Sequence, residues 1–161
     1  MSVYGSYLTE SYEDLGEKEI NFFGTKANIK IKSSGTIAAD DKLLAKVDNV
    51  LKVVCSKELY ENWYKEKDDI FEEINDDPYF KGKKIKNAND LIKALKEEIT
   101  NKNTRVYINT YRKTIYFCGE YWCDPEHGYS ISFPDGEYVK SKGYNSSKGP
   151  VTYFGQYSDA L

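Results

Sequence analysis

Reactive side chains crowd one stretch of this chain, from Tyr116 to Phe133. It holds two of the three cysteines (Cys118 and Cys123), the only histidine (His127), Trp122, and the carboxylates Glu120, Asp124 and Glu126. Cys118-x4-Cys123-x3-His127 supplies two thiolates and an imidazole, and Asp124 or Glu126 could complete a tetrahedral zinc site. The second ligand pair common in structural zinc modules is missing from the sequence. A thiol nucleophile could be built from Cys118 or Cys123 with His127 as base and Glu126 or Asp124 as orienter. Glu120 and Glu126 could serve as an acid/base pair, but they are two of twenty-six carboxylates and carry little weight as a pair. No His-Glu-x-x-His, Walker loop or Gly-x-Ser-x-Gly occurs.

The elements that must position these groups argue for a plainer reading. Strict alternation puts Ile115, Phe117, Gly119 and Tyr121 on one strand face and Tyr116, Cys118, Glu120 and Trp122 on the other. Cys118 is therefore mid-strand, whereas Cys123 falls at the following turn. Asp124-Pro125-Glu126-His127-Gly128 is turn chemistry, with Asp-Pro to initiate and glycine to accept a positive φ. A strand, a turn and a return strand would point the thiols and the imidazole in different directions. The sequence thus assigns no catalytic residue, metal or cofactor. Its second reading of the segment is a binding surface: Tyr121, Trp122 and Tyr129 as exposed aromatic contacts, with Asp124, Glu126 and His127 beside them.

Upstream, residues 1–16 show no period and read as an irregular N-terminal arm. A single domain is expected over 17–161. Glu19 to Phe23 and Ala27 to Lys32 read as a hairpin. Leu43, Leu44, Val47, Val50, Leu51 and Val54 recur at helical spacing after Asp40. Leu59, Trp63, Ile70, Phe71 and Ile74 predict the apolar side of a second helix, ending at Asp77 before Pro78. After a lysine-rich loop, Asn87 or Asn89 can cap a third helix with Leu91, Ile92, Leu95 and Ile99 as its buried stripe. From residue 106 the chain reads as a β-meander. Strands, helices, then strands predict an α+β domain: a mainly antiparallel sheet with about three helices on one face.

The second helix carries a different signal. Between Lys57 and Asp77 nine carboxylates face three lysines. A solvated face is the common meaning of such a run. A negative surface that attracts a basic protein partner is the functional one, with Glu61, Asp68, Asp69, Glu72 and Glu73 as its contacts.

Composition limits the remaining classes. A formal net charge of −3 opposes phosphate neutralisation and hence nucleic-acid binding. No apolar run approaches the roughly 20 residues of a membrane helix. No basic start precedes an apolar stretch, and three unpaired-by-count cysteines suit a reducing compartment, so a cytoplasmic location is expected.

Cys118-x3-Trp122, followed by Asp124-x-Glu126-His127-Gly128, a strand and Asp135-Gly136, resembles a group of small bacterial domains of unknown function. Their motif, Cys-x-x-x-Trp-Asp-x-Glu-His-Gly, lies between two late strands. Here Cys123 is inserted between tryptophan and aspartate. The resemblance covers roughly residues 17–144, and some of these domains are similar to immunity-type, toxin-neutralising proteins. It implies a non-enzymatic, protein-binding role and no reaction. Two expectations follow: a binding domain for a basic partner, or a small zinc- or thiol-dependent hydrolase centred on Cys118, Cys123 and His127.

Overall fold

The computed structural model describes residues 12–34, 41–76, 84–119, 128–140 and 152–155. Among the described residues six strands form one sheet in chain order: β1 (Tyr12–Phe22), β2 (Thr25–Ser34), β3 (Thr104–Asn109), β4 (Thr114–Gly119), β5 (Tyr129–Pro134) and β6 (Tyr153–Gly155). All neighbours are antiparallel except β2 and β3, which run parallel with Ile31 opposite Val106. A parallel pair needs a crossover, and the helices provide it. They are α1 (Asp41–Ala45), α2 (Val47–Val54), α3 (Lys57–Glu66), α4 (Asp68–Asp76) and α5 (Ala88–Thr100). The domain is α+β, as the order of sequence patterns predicts.

Strand alternation builds the core. Ile31, Val106, Phe117, Ile131 and Phe154 make one cross-strand row, and Ser33, Ile108, Ile115 and Phe133 the next. All nine are buried, and they face the helical stripes Val47, Val50, Leu51, Val54, Leu59, Trp63, Leu91, Leu95 and Ile99. The opposite sheet face carries a small separate cluster of Tyr107, Tyr116 and Cys118.

Residues 12–16, expected to be irregular, belong to β1. A bulge between Asp14 and Glu17 hides the alternation there. Gly16 takes φ +95°, and its N–H donates to Asp14 Oδ1 at 2.9 Å. The hairpin turns on Phe23 and Gly24, both at positive φ, the two-residue geometry that matches strand twist. At α5, Asn87 Oδ1 accepts from the Asp90 N–H at 2.9 Å while Asp90 Oδ2 accepts from the Lys86 N–H at 3.0 Å. Asn87 is thus the N-cap, the first of the two candidates, and Asp90 in turn holds the N–H of the residue before it.

The two longer helices expected from periodicity each break once. The first interrupts at Lys46, between α1 and α2, and the second at Lys67, where φ −120° and ψ 24° leave the helical region. The second break changes phase. Phe71 turns inward and is buried, while Ile70, expected on the buried stripe, is 43% exposed. Ile70 lies seven residues after Trp63, so an unbroken helix would place the two on one face.

Candidate functional site

Trp63 anchors the region where helices meet the sheet edge. Its indole stacks on Phe154 of β6 at 5.4 Å and 8°, and packs against Tyr129 of β5 at 5.7 Å and Phe71 of α4 at 6.3 Å. This aromatic cluster holds the α3–α4 elbow over the β5–β6 end of the sheet. Offset aromatic pairs of this kind add to simple area burial and have preferred angles, so the elbow is fixed in orientation.

The outer face of the elbow is acidic. Glu61 on α3 and Asp68, Asp69, Glu72 and Glu73 on α4 are all exposed. Asp68 and Asp69 sit in the first turn of α4, where the helix dipole favours a carboxylate. Glu72 and Glu73 receive no such help and stand one turn from Asp68 and Asp69. Like charges at that spacing cost a few tenths of a kcal/mol each. The α4 surface therefore trades a little stability for a concentrated negative field.

A polar seam closes one flank. Lys140 is ion-paired with Glu58, and Tyr138 packs partly against the core beside them. Burial, then the Glu58 carboxylate, pushes the Tyr138 hydroxyl above the usual tyrosine range. It stays protonated at any physiological pH. On the other flank Lys67, at the elbow itself, lies 5.2 Å from the ring centroid of Tyr153, a cation–π contact.

No family model, curated protein or solved structure matches this chain.

The Tyr116–Phe133 stretch is arranged differently from the elbow. Tyr129, expected to be an exposed aromatic contact, is fully buried. Its ring crosses Gly119 of β4, where an added Cβ would stand 2.4 Å from the ring, and its hydroxyl meets Thr104 Oγ1 at 2.9 Å. Alternation puts Tyr129 on the inward face of β5 with Ile131 and Phe133, and its ring fills the side-chain space that Gly119 leaves empty. Cys118 is also fully buried, on the sheet face away from the helices, and its Sγ approaches the Arg105 carbonyl at 3.7 Å. Tyr121, Trp122, Cys123, Asp124, Glu126 and His127 lie outside the described residues. Among the described residues no three potential metal ligands gather. No helix there is long and apolar enough to cross a membrane.

Two surface residues beside the elbow escape the sequence reading. Val139 follows the β5 turn and is 38% exposed; Tyr153 of β6 is 49% exposed. Tyr153 was legible in principle, because Thr152-Tyr153-Phe154 alternates and Phe154 is the larger purely apolar partner for the core.

Proposed function

We propose that this chain is a non-enzymatic protein-binding domain of the immunity, toxin-neutralising type, and that its partner is a basic protein. The observation that carries this reading is the outward presentation of Glu61, Asp68, Asp69, Glu72 and Glu73 on a rigidly anchored elbow. Such a surface raises the local concentration of a cationic partner and speeds its docking, an effect that salt screens within about 10 Å at 0.1 M. The resemblance of the Cys118 to Gly136 pattern to immunity-type domains points to the same class and to a cytoplasmic site of action.

The thiol- or zinc-dependent hydrolase reading draws no support from Cys118. To ligate a metal or attack a substrate, that side chain would have to leave a fully buried strand position.

The test is co-purification from native lysate, at low and at high salt, with wild type and a chain carrying Asp68→Asn, Asp69→Asn, Glu72→Gln and Glu73→Gln. The expected result is one basic protein retained at low salt, released at high salt and lost by the neutralised chain. Retention of a partner that ignores both salt and the four substitutions would overturn the reading.

A further inference from the structure

The segment after the β5 turn, Glu137 to Lys140, runs back along the helices as a strap fastened at both ends by ion pairs. Glu137 is paired with Lys46 at 2.6 Å, where α1 meets α2, and Lys140 is paired with Glu58 on α3. Between them Tyr138 packs partly against the core, within the field of the Glu58 and Glu66 carboxylates on one face of α3. Val139 is tied to Thr152, its carbonyl accepting from the Thr152 N–H at 2.8 Å and its own N–H donating to Thr152 Oγ1 at 3.0 Å. Thr152 leads into β6, whose Phe154 stacks on Trp63. Through Lys140 the strap thus joins the acidic side of α3 to the sheet edge on which the elbow rests.

The Lys140–Glu58 pair is open to exchange. Both side chains are 57% exposed, and ion pairs in contact with water add little stability and yield to competing ions. A hydrogen bond and the charge of Glu58 hold the Lys140 ammonium above the usual lysine range, and the Glu61 carboxylate adds in the same direction. Lys140 therefore lays a positive charge on the α3 carboxylates, where a cationic partner would lay its own. Two ammonium groups on one carboxylate repel each other, so an incoming cation must displace the resident one.

We propose that Lys140 is a built-in competitor for the partner's cations: it occupies Glu58 in the free chain, and a lysine- or arginine-bearing segment of the partner takes Glu58 and Glu61 in its place, releasing the Lys140 end of the strap. The proposal rests on the protein-binding reading above. It adds that α3 shares the contact and that docking loosens one defined piece of the fold. The Lys46–Glu137 pair keeps the other end of the strap fastened.

The experiment titrates the intact chain with hexalysine at low salt and reads affinity from NMR shifts, together with the hydrogen-exchange rate of the Thr152 amide. Lys140→Gln should bind hexalysine about threefold tighter than wild type, the scale of one exposed ion pair. Lys18→Gln is the matched control: it too removes one lysine from an exposed pair, with Asp48, and should bind as wild type does. Saturating hexalysine should speed Thr152 exchange about threefold in wild type and leave it unchanged in Lys140→Gln, where the strap end is already free. Both lysines are exposed, so the variants keep the fold. Equal affinity of the Lys140→Gln and Lys18→Gln chains, or wild-type Thr152 exchange that hexalysine does not speed, would overturn the competitor and leave the acidic reading standing. Binding of hexalysine to none of the three chains would overturn both.

Discussion

Two regions of this molecule hold its aromatic and chemically versatile side chains, and the fold treats them in opposite ways. Along β4 and β5 the rings and the thiol are covered: Phe117 and Tyr129 on the helix side and Cys118 on the other are all fully buried. At the elbow of α3 and α4, beside β6, Trp63, Phe71 and Phe154 are buried, but Ile70, Tyr153 and five carboxylates are presented to solvent. A central strand has neighbours on both sides, and where its side chains are covered they serve packing whatever their reactivity. A helix break at a sheet edge has free surface, and there side-chain chemistry becomes available to a partner. Density of reactive residue types in a sequence is thus a poor guide to a site unless the element carrying them reaches the surface.

That contrast can be broken most severely at the one residue joining the two regions. Trp63→Ala removes the ring shared by Tyr129, Phe71 and Phe154. A loss of about 3–5 kcal/mol is expected from the cavity and the lost stacking, read as a lower urea midpoint. Tyr129→Phe probes the buried side alone. It leaves the buried Thr104 hydroxyl without its 2.9 Å partner, at a cost of about 1–3 kcal/mol. Partner binding should not change, whereas a contact role for Tyr129 would show as lost affinity at unchanged stability.

Glu98 sharpens the same point through pH. It is buried on α5, and burial raises its carboxyl above the usual glutamate range, with an opposing hydrogen bond from Asn103. A carboxyl with a raised folded pKa binds its proton more tightly in the native state. Its stability contribution is full below the unfolded value of about 4.3 and declines as pH rises towards the folded value. Glu98→Gln should abolish that slope and be at least as stable as wild type at pH 7, as read from urea midpoints across pH. A steeper decline in the variant would contradict the assignment. The smallest effect on the fold is expected at the elbow surface: Ile70→Ser should shift stability by no more than about 0.5 kcal/mol.

How much of this was legible follows from the same physics. The α5 stripe of Leu91, Ile92, Leu95 and Ile99 emerged as read, and of the two candidate caps, Asn87 and Asn89, the helix uses Asn87, because helix period and cap chemistry are local. So did the strand alternation from Val106 to Phe117. The parallel pairing of β2 and β3 was not legible, since it joins residues over 70 positions apart that share no local signature. The break at Lys67 was hidden too: Lys65, Glu66 and Lys67 are all good helix formers, and only packing of Trp63 and Phe71 on the sheet edge decides the phase. The inward face of Tyr129 was legible, since Tyr129, Ile131 and Phe133 alternate onto one side of β5; the space its ring fills was not, because that depends on Gly119 across the strand pair.

The claim that the elbow carboxylates face a basic partner is tested most directly by capturing the native partner with three chains: wild type, Asp69→Asn/Glu72→Gln/Glu73→Gln, and Glu13→Gln/Glu17→Gln/Glu19→Gln. Each triple removes three exposed carboxylates, so the change in net charge is matched. Wild type and the Glu13/Glu17/Glu19 chain should retain the same basic protein at low salt, and the Asp69/Glu72/Glu73 chain should lose it. Retention by the Asp69/Glu72/Glu73 chain equal to that of wild type would contradict the account.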